Sequence, residues 1–483
     1  MRLQQLILDV MRKPPALFYS NGDKHRDTEK VYLKIRNALL KAHDKVRPVG
    51  IRLAKDPEYF LCILACMELG IPYVPLKEDF PENRINEISE DANIGLYIDR
   101  KFLDTLVEDE SVTATISNSK LSDDMPLYII FTSGSTGRPK GVVISRGAFC
   151  AYLNWLNQSF PDINSQDRLL QVTEFTFDIS LIDLVLYLTK KPSIYFTDFG
   201  GAIFKMAQEI AKYKITTINT VPNNINMLLS DFIVSKADFS SLRWMMIGGA
   251  RLSYGLYKKV CKYFSDKSVS NFYGPTEFTI YSHFKKITFN EQEDCKDANV
   301  SIGIPNTDVH AEIYSNGHFC NAGESGELLL SGKQIMNNYI NDPEKTDDAI
   351  IKIEGVPYYK TGDLSYKNEC NEFFITGRLD DTIKYRGYRI NLLDVDSYIT
   401  KLPYVEDVTT IAVADEIKEN ITVSFLILKK TANKEISASR IKQDLKDIIV
   451  DYQIPEKIRF VLKFPINTSG KVCKKQLLEE YKK

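Results

Sequence analysis

The 483-residue chain is 44% hydrophobic and 26% charged, ordinary proportions for a globular enzyme, and it is long enough to divide into more than one domain. Its 62 basic and 64 acidic residues nearly cancel, so no general field draws it to nucleic acid or to an anionic membrane. The N-terminus has no secretory pattern, no apolar run approaches the roughly 18 residues of a membrane span, and the eight cysteines show no CxxC pairing, which together lead us to expect a reduced, cytoplasmic protein.

Residues 29–43 and 57–69 repeat apolar positions at helical spacing, and the second run leads into the strand GIPYVPL. Cys62 and Cys66 fall four apart in that second run and read as buried thiols. Strand and helix patterns then alternate: LYIDR, two apolar strands around residues 129–144, a helix at 147–158, SIYF, a helix at 203–213, TTINTV and a helix at 223–230. Such alternation predicts helices packed on largely parallel sheets. No period of roughly 20–50 residues recurs, which excludes a solenoid. Beyond about residue 300, Gly-punctuated strands such as GELLLSG and FFITGRL predict a β-rich subdomain. A polar turn in GRLDDTIKYRG then marks a boundary, and helical patterns follow at 391–401 and 438–450. The expected fold class is α/β: a large N-terminal domain (1–379) of helix-flanked sheets plus a β-rich subdomain, and a small mobile α+β C-terminal domain (380–483).

The most informative segment is YIIFTSGSTGRPKGV, from Tyr128 to Val142. Between two apolar strands it places Thr132, Ser133, Gly134, Ser135, Thr136, Gly137 and Gly141, with Lys140 as a mobile cation. Hydroxyls and backbone N–H groups unobstructed by Cβ atoms suit a polyphosphate. The GxxxxGK[ST] pattern is absent and the following segment reads as strand, so this is not a Walker loop. A plain Gly/Ser hairpin is the alternative for any short piece of this run.

Taken whole, the run resembles the phosphate-binding signature of the adenylate-forming superfamily, which includes acyl-CoA synthetases, luciferases and the adenylation domains of nonribosomal peptide synthetases. Further matching segments occur in the family's order, from about Val49 to Lys471. The resemblance implies activation of a carboxylic acid with Mg²⁺ and ATP to an acyl-adenylate, followed by transfer to a thiol. In Asn271–Glu277, NFYGPTE, it implies that Tyr273 stacks on adenine, Thr276 contacts the α-phosphate and Glu277 holds Mg²⁺. In YKTGDL it makes Asp363 the ribose carboxylate. Arg378 then lies near ribose and phosphate, Asp380 is the hinge, and Gly387 belongs to the face used for thiol transfer. The following residues, Asn391 to Asp396, depart from the commoner Glu-Leu-Gly-Glu-Ile-Glu, which puts carrier docking on that face in doubt. Near the C-terminus, PINTSGKVCK supplies Lys471, the catalytic lysine by this resemblance. A mobile ammonium there offsets the repulsion between two anions brought to bonding distance.

Phe177-Asp178-Ile179-Ser180 matches the segment in which amino-acid-activating members carry an Asp for the substrate ammonium. An exposed Asp capping a helix is the alternative reading. Carrying over pocket positions gives Ile179, Ile182, Thr220, Met246, Gly248, Phe272, Ile280 and Tyr281, an apolar set with no second charge and several bulky members. Glycine or alanine is the expected substrate. With the chain ending soon after Lys471, the expectation is a free-standing ligase loading a phosphopantetheine-bearing carrier protein. D-alanyl carrier ligases share the Phe-Asp-x-Ser position, but they typically carry Cys-Gly-Glu where this chain has Gly248-Gly249-Ala250. An acyl-CoA synthetase and an inactive nucleotide-binding relative are the competing readings.

Overall fold

The protein is described from a computed structural model. It covers the chain except residues 1–2, 45, 107–120, 133–138, 253, 297–298, 380–381, 386–387, 416–418, 430–435, 466–471, 473 and 483. At 299, 377–378, 382, 384, 389, 391, 393–394, 397, 419 and 475 it describes the backbone alone. Two compact units are formed: Met1–Asp79, Ser89–Phe131 and Gly141–Leu379 make the first, and Phe80–Ile88, Thr132–Lys140 and Asp380–Lys483 the second.

The larger unit is built on helix-flanked sheets. In one, the strands run in the order Leu17–Phe18, Ser193–Phe196, Arg168–Gln171, Thr217–Thr220, Trp244–Ile247, Ser268–Tyr273, His283–Lys286 and Ile304–Pro305. The first six are parallel, and each of the last two pairs antiparallel with the strand before it. The chain steps from Arg168–Gln171 to Ser193–Phe196 on one side and returns as Thr217–Thr220 on the other. That reversal opens a crevice at the carboxyl ends of the two central strands, where ligands of open α/β sheets bind.

The second sheet orders Asn338–Tyr339, Lys140–Ser145, Pro126–Thr132, Tyr73–Lys77, Val49–Leu53 and Leu96–Ile98. Its helix Pro57–Leu69 shows how sequence sets an element's limits. Asp56 accepts the Tyr59 N–H as N-cap at 3.0 Å, proline occupies the first turn, and Gly70 ends the helix in the left-handed region with its N–H on Cys66 O. Leu61 to Met67 are fully buried, which places Cys62 and Cys66 in the core as packing residues.

Antiparallel strands Val309–Ser315, Gly326–Gly332 and Val356–Lys367 form the heart of the β-rich subdomain, with Phe373–Arg378 paired to Val356–Lys367. The smaller unit is α+β. Val405–Asp415 pairs antiparallel with Glu419–Leu428, which pairs parallel with Lys457–Phe460, and helices Leu392–Thr400 and Ala438–Lys446 supply Val395, Ile399, Ile441 and Leu445 to its own core. The α/β class expected from sequence is the class observed.

Candidate active site

Asp178 enters the crevice on a single turn, Asp178–Ser180, reached from the end of strand Arg168–Gln171. Ser180 locks that turn: its N–H and hydroxyl both donate to Phe177 O, at 3.1 and 2.7 Å. Asp178 is 6% exposed, which excludes the exposed-cap alternative, and Oδ2 has no hydrogen-bond partner among the described residues. Burial pushes its pKa up to about 7. The Thr276 hydroxyl and the N–H groups of Ile179 and Ile280 oppose that rise, and the charge of Glu277 adds to it.

The Ile280 N–H reaches Asp178 because the chain after NFYGPTE is strained. Thr279 and Ile280 adopt φ of 51° and 70°, a region that β-branched residues rarely occupy and that costs roughly 1–3 kcal/mol per residue. Gln334, fully buried, holds this turn in place: its carbonyl accepts the Thr279 hydroxyl at 2.6 Å and its side chain donates to Tyr281 O at 2.9 Å. The turn folds back onto Gly274, where a Cβ would lie 2.5 Å from Ile280 O, so the glycine of NFYGPTE is required by close approach.

The same loop presents Tyr273 and Glu277. Tyr273 donates its hydroxyl to Asp363 at 2.5 Å, and both are buried. Asp363 lies opposite Arg378 in the strand pairing, so three of the positions expected near the nucleoside are neighbours in the backbone or by side chain. Glu277 is 1% exposed and accepts the Tyr339 hydroxyl at 2.7 Å. Its carboxylate oxygens are the donor type Mg²⁺ prefers. No cluster of three or more His, Cys, Asp or Glu side chains forms a metal cage among the described residues, so a cation here fits only if nucleotide oxygens complete its shell.

Around Asp178, Phe272 stacks on Tyr281 with centroids 4.8 Å apart. A Cβ on Gly248 would collide with the Tyr281 hydroxyl, and one on Gly249 with Ile179. Met246, Ile182 and Ile280 are buried in the same core as these residues.

Met246 is in register with Asn219 and Ile247 with Thr220, and the Thr220 hydroxyl is engaged by Asn224 at 2.9 Å. Asn219, on the same sheet face as Met246, donates to Ile179 O at 2.9 Å. One expectation requires correction. Gly141 does not turn an N–H toward an anion. It sits within strand Lys140–Ser145, where a Cβ would lie 2.6 Å from the Ile340 side chain. A second buried acidic group, Asp183, lies on the helix Leu181–Thr189 that follows the turn of Asp178. Burial drives its pKa well up against the opposing influence of a hydrogen bond from Asn219 and the charge of Lys55, which favours its neutral form. In sequence it hides inside the apolar helix LIDLVLYL.

Thr132 ends strand Pro126–Thr132 and Lys140 opens the next. Ser133, Gly134, Ser135, Thr136, Gly137, Asp380, Gly387 and Lys471 lie outside the described residues, as does the side chain of Arg378. Tyr339, Gln334, Asn219 and Asp183 were not singled out in sequence. Only their partners across the fold mark them.

The fold and this convergence of buried carboxylates at a switch point define a nucleotide-using enzyme, and comparison with known proteins agrees. The AMP-binding enzyme profile matches residues 15–340, and the AMP-binding enzyme C-terminal domain matches 394–471. The chain belongs to the AMP-binding enzyme family, the adenylate-forming enzymes, and catalyses ATP-dependent adenylation. It is similar to the D-alanine–D-alanyl carrier protein ligase of Listeria monocytogenes, 28% identical over 461 residues that cover 91% of this chain and 90% of that one. Among solved structures, the amide bond synthetase McbA of Marinactinospora thermotolerans superposes with a TM-score of 0.86 at 19% identity, covering 100% of both chains. The Vibrio cholerae adenylation domain AlmE, solved with glycyl-adenosine-5′-phosphate, gives 0.84 at 22% identity, covering 99% of this chain and 97% of that one.

Proposed function

We propose that the protein activates a small amino acid to its aminoacyl-adenylate and then transfers the aminoacyl group to the phosphopantetheine thiol of a carrier protein. The observation that carries this reading is that Oδ2 of buried Asp178 has no hydrogen-bond partner among the described residues. A carboxylate withdrawn from water is stabilised by a cation, and an α-ammonium supplies both charge and donors. Fatty and aromatic acids bring no such group. Support for a small side chain comes from Tyr281 lying against Gly248 and Ile179 against Gly249, which leaves little depth beyond Asp178. The Listeria relative is a ligase of D-alanine and a carrier protein by its name.

On this reading the substrate carboxylate attacks the α-phosphorus of ATP. The bond from that phosphorus to the bridging oxygen of the β-phosphate breaks, and pyrophosphate leaves with its electron pair. A carboxylate is already ionised near neutral pH, so no general base is needed. Lys471 and Lys140 offset the negative charge, Thr276 contacts the α-phosphate, and Glu277 would hold Mg²⁺, which would supply further charge neutralisation at the phosphates. Tyr273, Asp363 and Arg378 orient the nucleoside. The carrier thiolate then attacks the acyl carbon and AMP departs. Asp380 is assigned as the hinge and Gly387 to the thiol-transfer face, with domains at 1–379 and 380–483.

Amino-acid-dependent exchange of labelled pyrophosphate into ATP, measured across the twenty amino acids and D-alanine, tests the reading. Glycine or an alanine enantiomer should lead the panel. Phenylalanine or a fatty acid as best substrate would refute it, and efficient thioester formation on free coenzyme A would replace the carrier with CoA.

A further inference from the structure

Tyr339 belongs to no motif that the sequence advertises, yet it touches three of them. Its hydroxyl donates to Glu277 Oε1 at 2.7 Å, and the side chain of Tyr359, first residue of YKTGDL, hydrogen-bonds to it as well. Its backbone pairs with the strand that leaves the Ser/Thr-rich loop, with Tyr339 opposite Val142 and Asn338 opposite Val143. Neighbouring bonds fix the segment at both ends: Met336 N–H to Glu277 O at 2.9 Å, and Ile340 N–H to Gly141 O at 2.8 Å. Thr346 accepts the Tyr339 N–H at 2.9 Å. At 3% exposure the ring has little freedom to turn, so the direction of its O–H is set by the fold.

We infer that Tyr339 is a positioning residue, holding the Glu277 carboxylate in the orientation that binds the divalent cation of the nucleotide. The inference rests on reading Glu277 as the metal carboxylate. A carboxylate has about four lone-pair sites, so a phenol donating to one oxygen fixes the plane of the group and leaves acceptor capacity for a cation. Groups that orient a metal-binding side chain through such a bond typically contribute about 10–100-fold in metal affinity. A tyrosine serving only as core filler would contribute nothing specific to the metal.

The test uses the full-length protein, Mn²⁺ as the probe and α,β-methylene-ATP as an unreactive nucleotide, with free Mn²⁺ read by electron paramagnetic resonance. Tyr339→Phe should weaken Mn²⁺ binding to the nucleotide complex by about tenfold or more. Nucleotide binding in EDTA should stay close to that of the wild type, and the thermal midpoint should fall only by what the loss of one buried hydrogen bond costs. Tyr339→His, which retains a ring N–H donor, serves as the second variant and should recover part of the loss; it also decides the matter if Tyr339→Phe fails to fold. Folded variants that bind Mn²⁺ as the wild type does would overturn the inference, as would equal loss of nucleotide affinity with and without metal. Glu277→Gln separates the two levels. Normal Mn²⁺ binding in that variant removes the reading of Glu277 itself, whereas weak binding there beside normal binding in Tyr339→Phe removes only the role of Tyr339.

Discussion

The hydroxyl of Tyr273 and the carboxylate of Asp363 are hydrogen-bonded at 2.5 Å across 90 residues of sequence. One residue comes from the central parallel sheet and the other from the β-rich subdomain, so the bond joins the two parts of the larger unit at the proposed nucleoside site. Hydrogen bonds to charged groups contribute about 1.5–3 kcal/mol, and every 1.4 kcal/mol is tenfold in affinity. Tyr273→Phe keeps the aromatic face but removes this bond to Asp363. We expect KM for ATP to rise by about tenfold with kcat largely retained, because the bond orients the nucleoside rather than the reacting atoms. Steady-state kinetics with ATP and 2′-deoxy-ATP check this. Discrimination between the two nucleotides should shrink in the variant, and undiminished discrimination would count against Asp363 as the ribose contact.

Lys471 is assigned from its motif, and its role is separable by half-reaction. Lys471→Ala should depress pyrophosphate exchange by about 10²-fold or more, the scale of removing one preorganised charge from a transition state. Transfer of the aminoacyl group from preformed adenylate to a thiol should fall far less, since the two anions that Lys471 is assigned to bring together, the substrate carboxylate and the α-phosphate, meet only in adenylate formation. Equal loss in both half-reactions would contradict the assignment.

Much of this architecture is legible in the chain because its elements follow strong local rules. The helix at 203–213 was read at its observed limits, Ile203–Tyr213, from apolar spacing alone. Asp178 could be singled out because Phe177-Asp178-Ile179-Ser180 resembles the segment in which amino-acid-activating relatives carry an Asp, a signal that Asp183, in an equally apolar run, lacks. What escaped is what depends on register and on distant partners. Asn219 went unread because a step of one residue along a strand costs nothing in sequence but exchanges the faces of the sheet, and it is Asn219 that stands in register with Met246. Tyr339 sits in MNNYIND with no chemical signature, and its partner Glu277 is 62 residues away. Gly141 looked like part of an anion-binding loop, whereas its missing side chain makes room for Ile340.

The titration of Asp178 predicts a pH dependence for the amino acid and not for ATP. Burial lifts its pKa to about 7, well above the 3.9 or so of an unfolded Asp. The folded protein therefore retains a proton that the unfolded chain has lost between about pH 4 and 7. Stability from this group is present in acid and declines as pH rises through 7. An ammonium substrate binds the ionised form, so its apparent affinity should increase as pH rises from 6 to 8, with proton release on binding at the lower end. KM for the amino acid, followed by exchange across that range, should fall with pH. Asp178→Asn should bind weakly and show no such slope.

The contact between Gly248 and Tyr281 allows a test of the pocket that does not depend on losing activity. A methyl group at 248 would meet the Tyr281 hydroxyl, and the ring cannot withdraw because Phe272 stacks on its face at 4.8 Å. Gly248→Ala should therefore destabilise the protein by about 1–3 kcal/mol, the usual result of forcing an extra carbon into a packed core. Tyr281→Phe removes the nearest colliding atom, a buried hydroxyl with no hydrogen-bond partner among the described residues, but leaves the ring carbon that a Cβ at 248 would meet at 2.4 Å. By itself that change should be close to neutral, since no hydrogen bond to a described residue is lost. In combination, the two substitutions should be more stable than the sum of the separate effects by about 0.5 kcal/mol, the low end of the coupling found for residues in direct contact, because the clash is relieved only in part. Thermal and denaturant unfolding of the four proteins measure the coupling. Tyr281→Leu, which removes the ring wall altogether, should move the exchange profile from alanine toward valine and leucine. Additive stabilities with an unchanged substrate profile would mean that Tyr281 neither occupies the space above Gly248 nor bounds the substrate side chain.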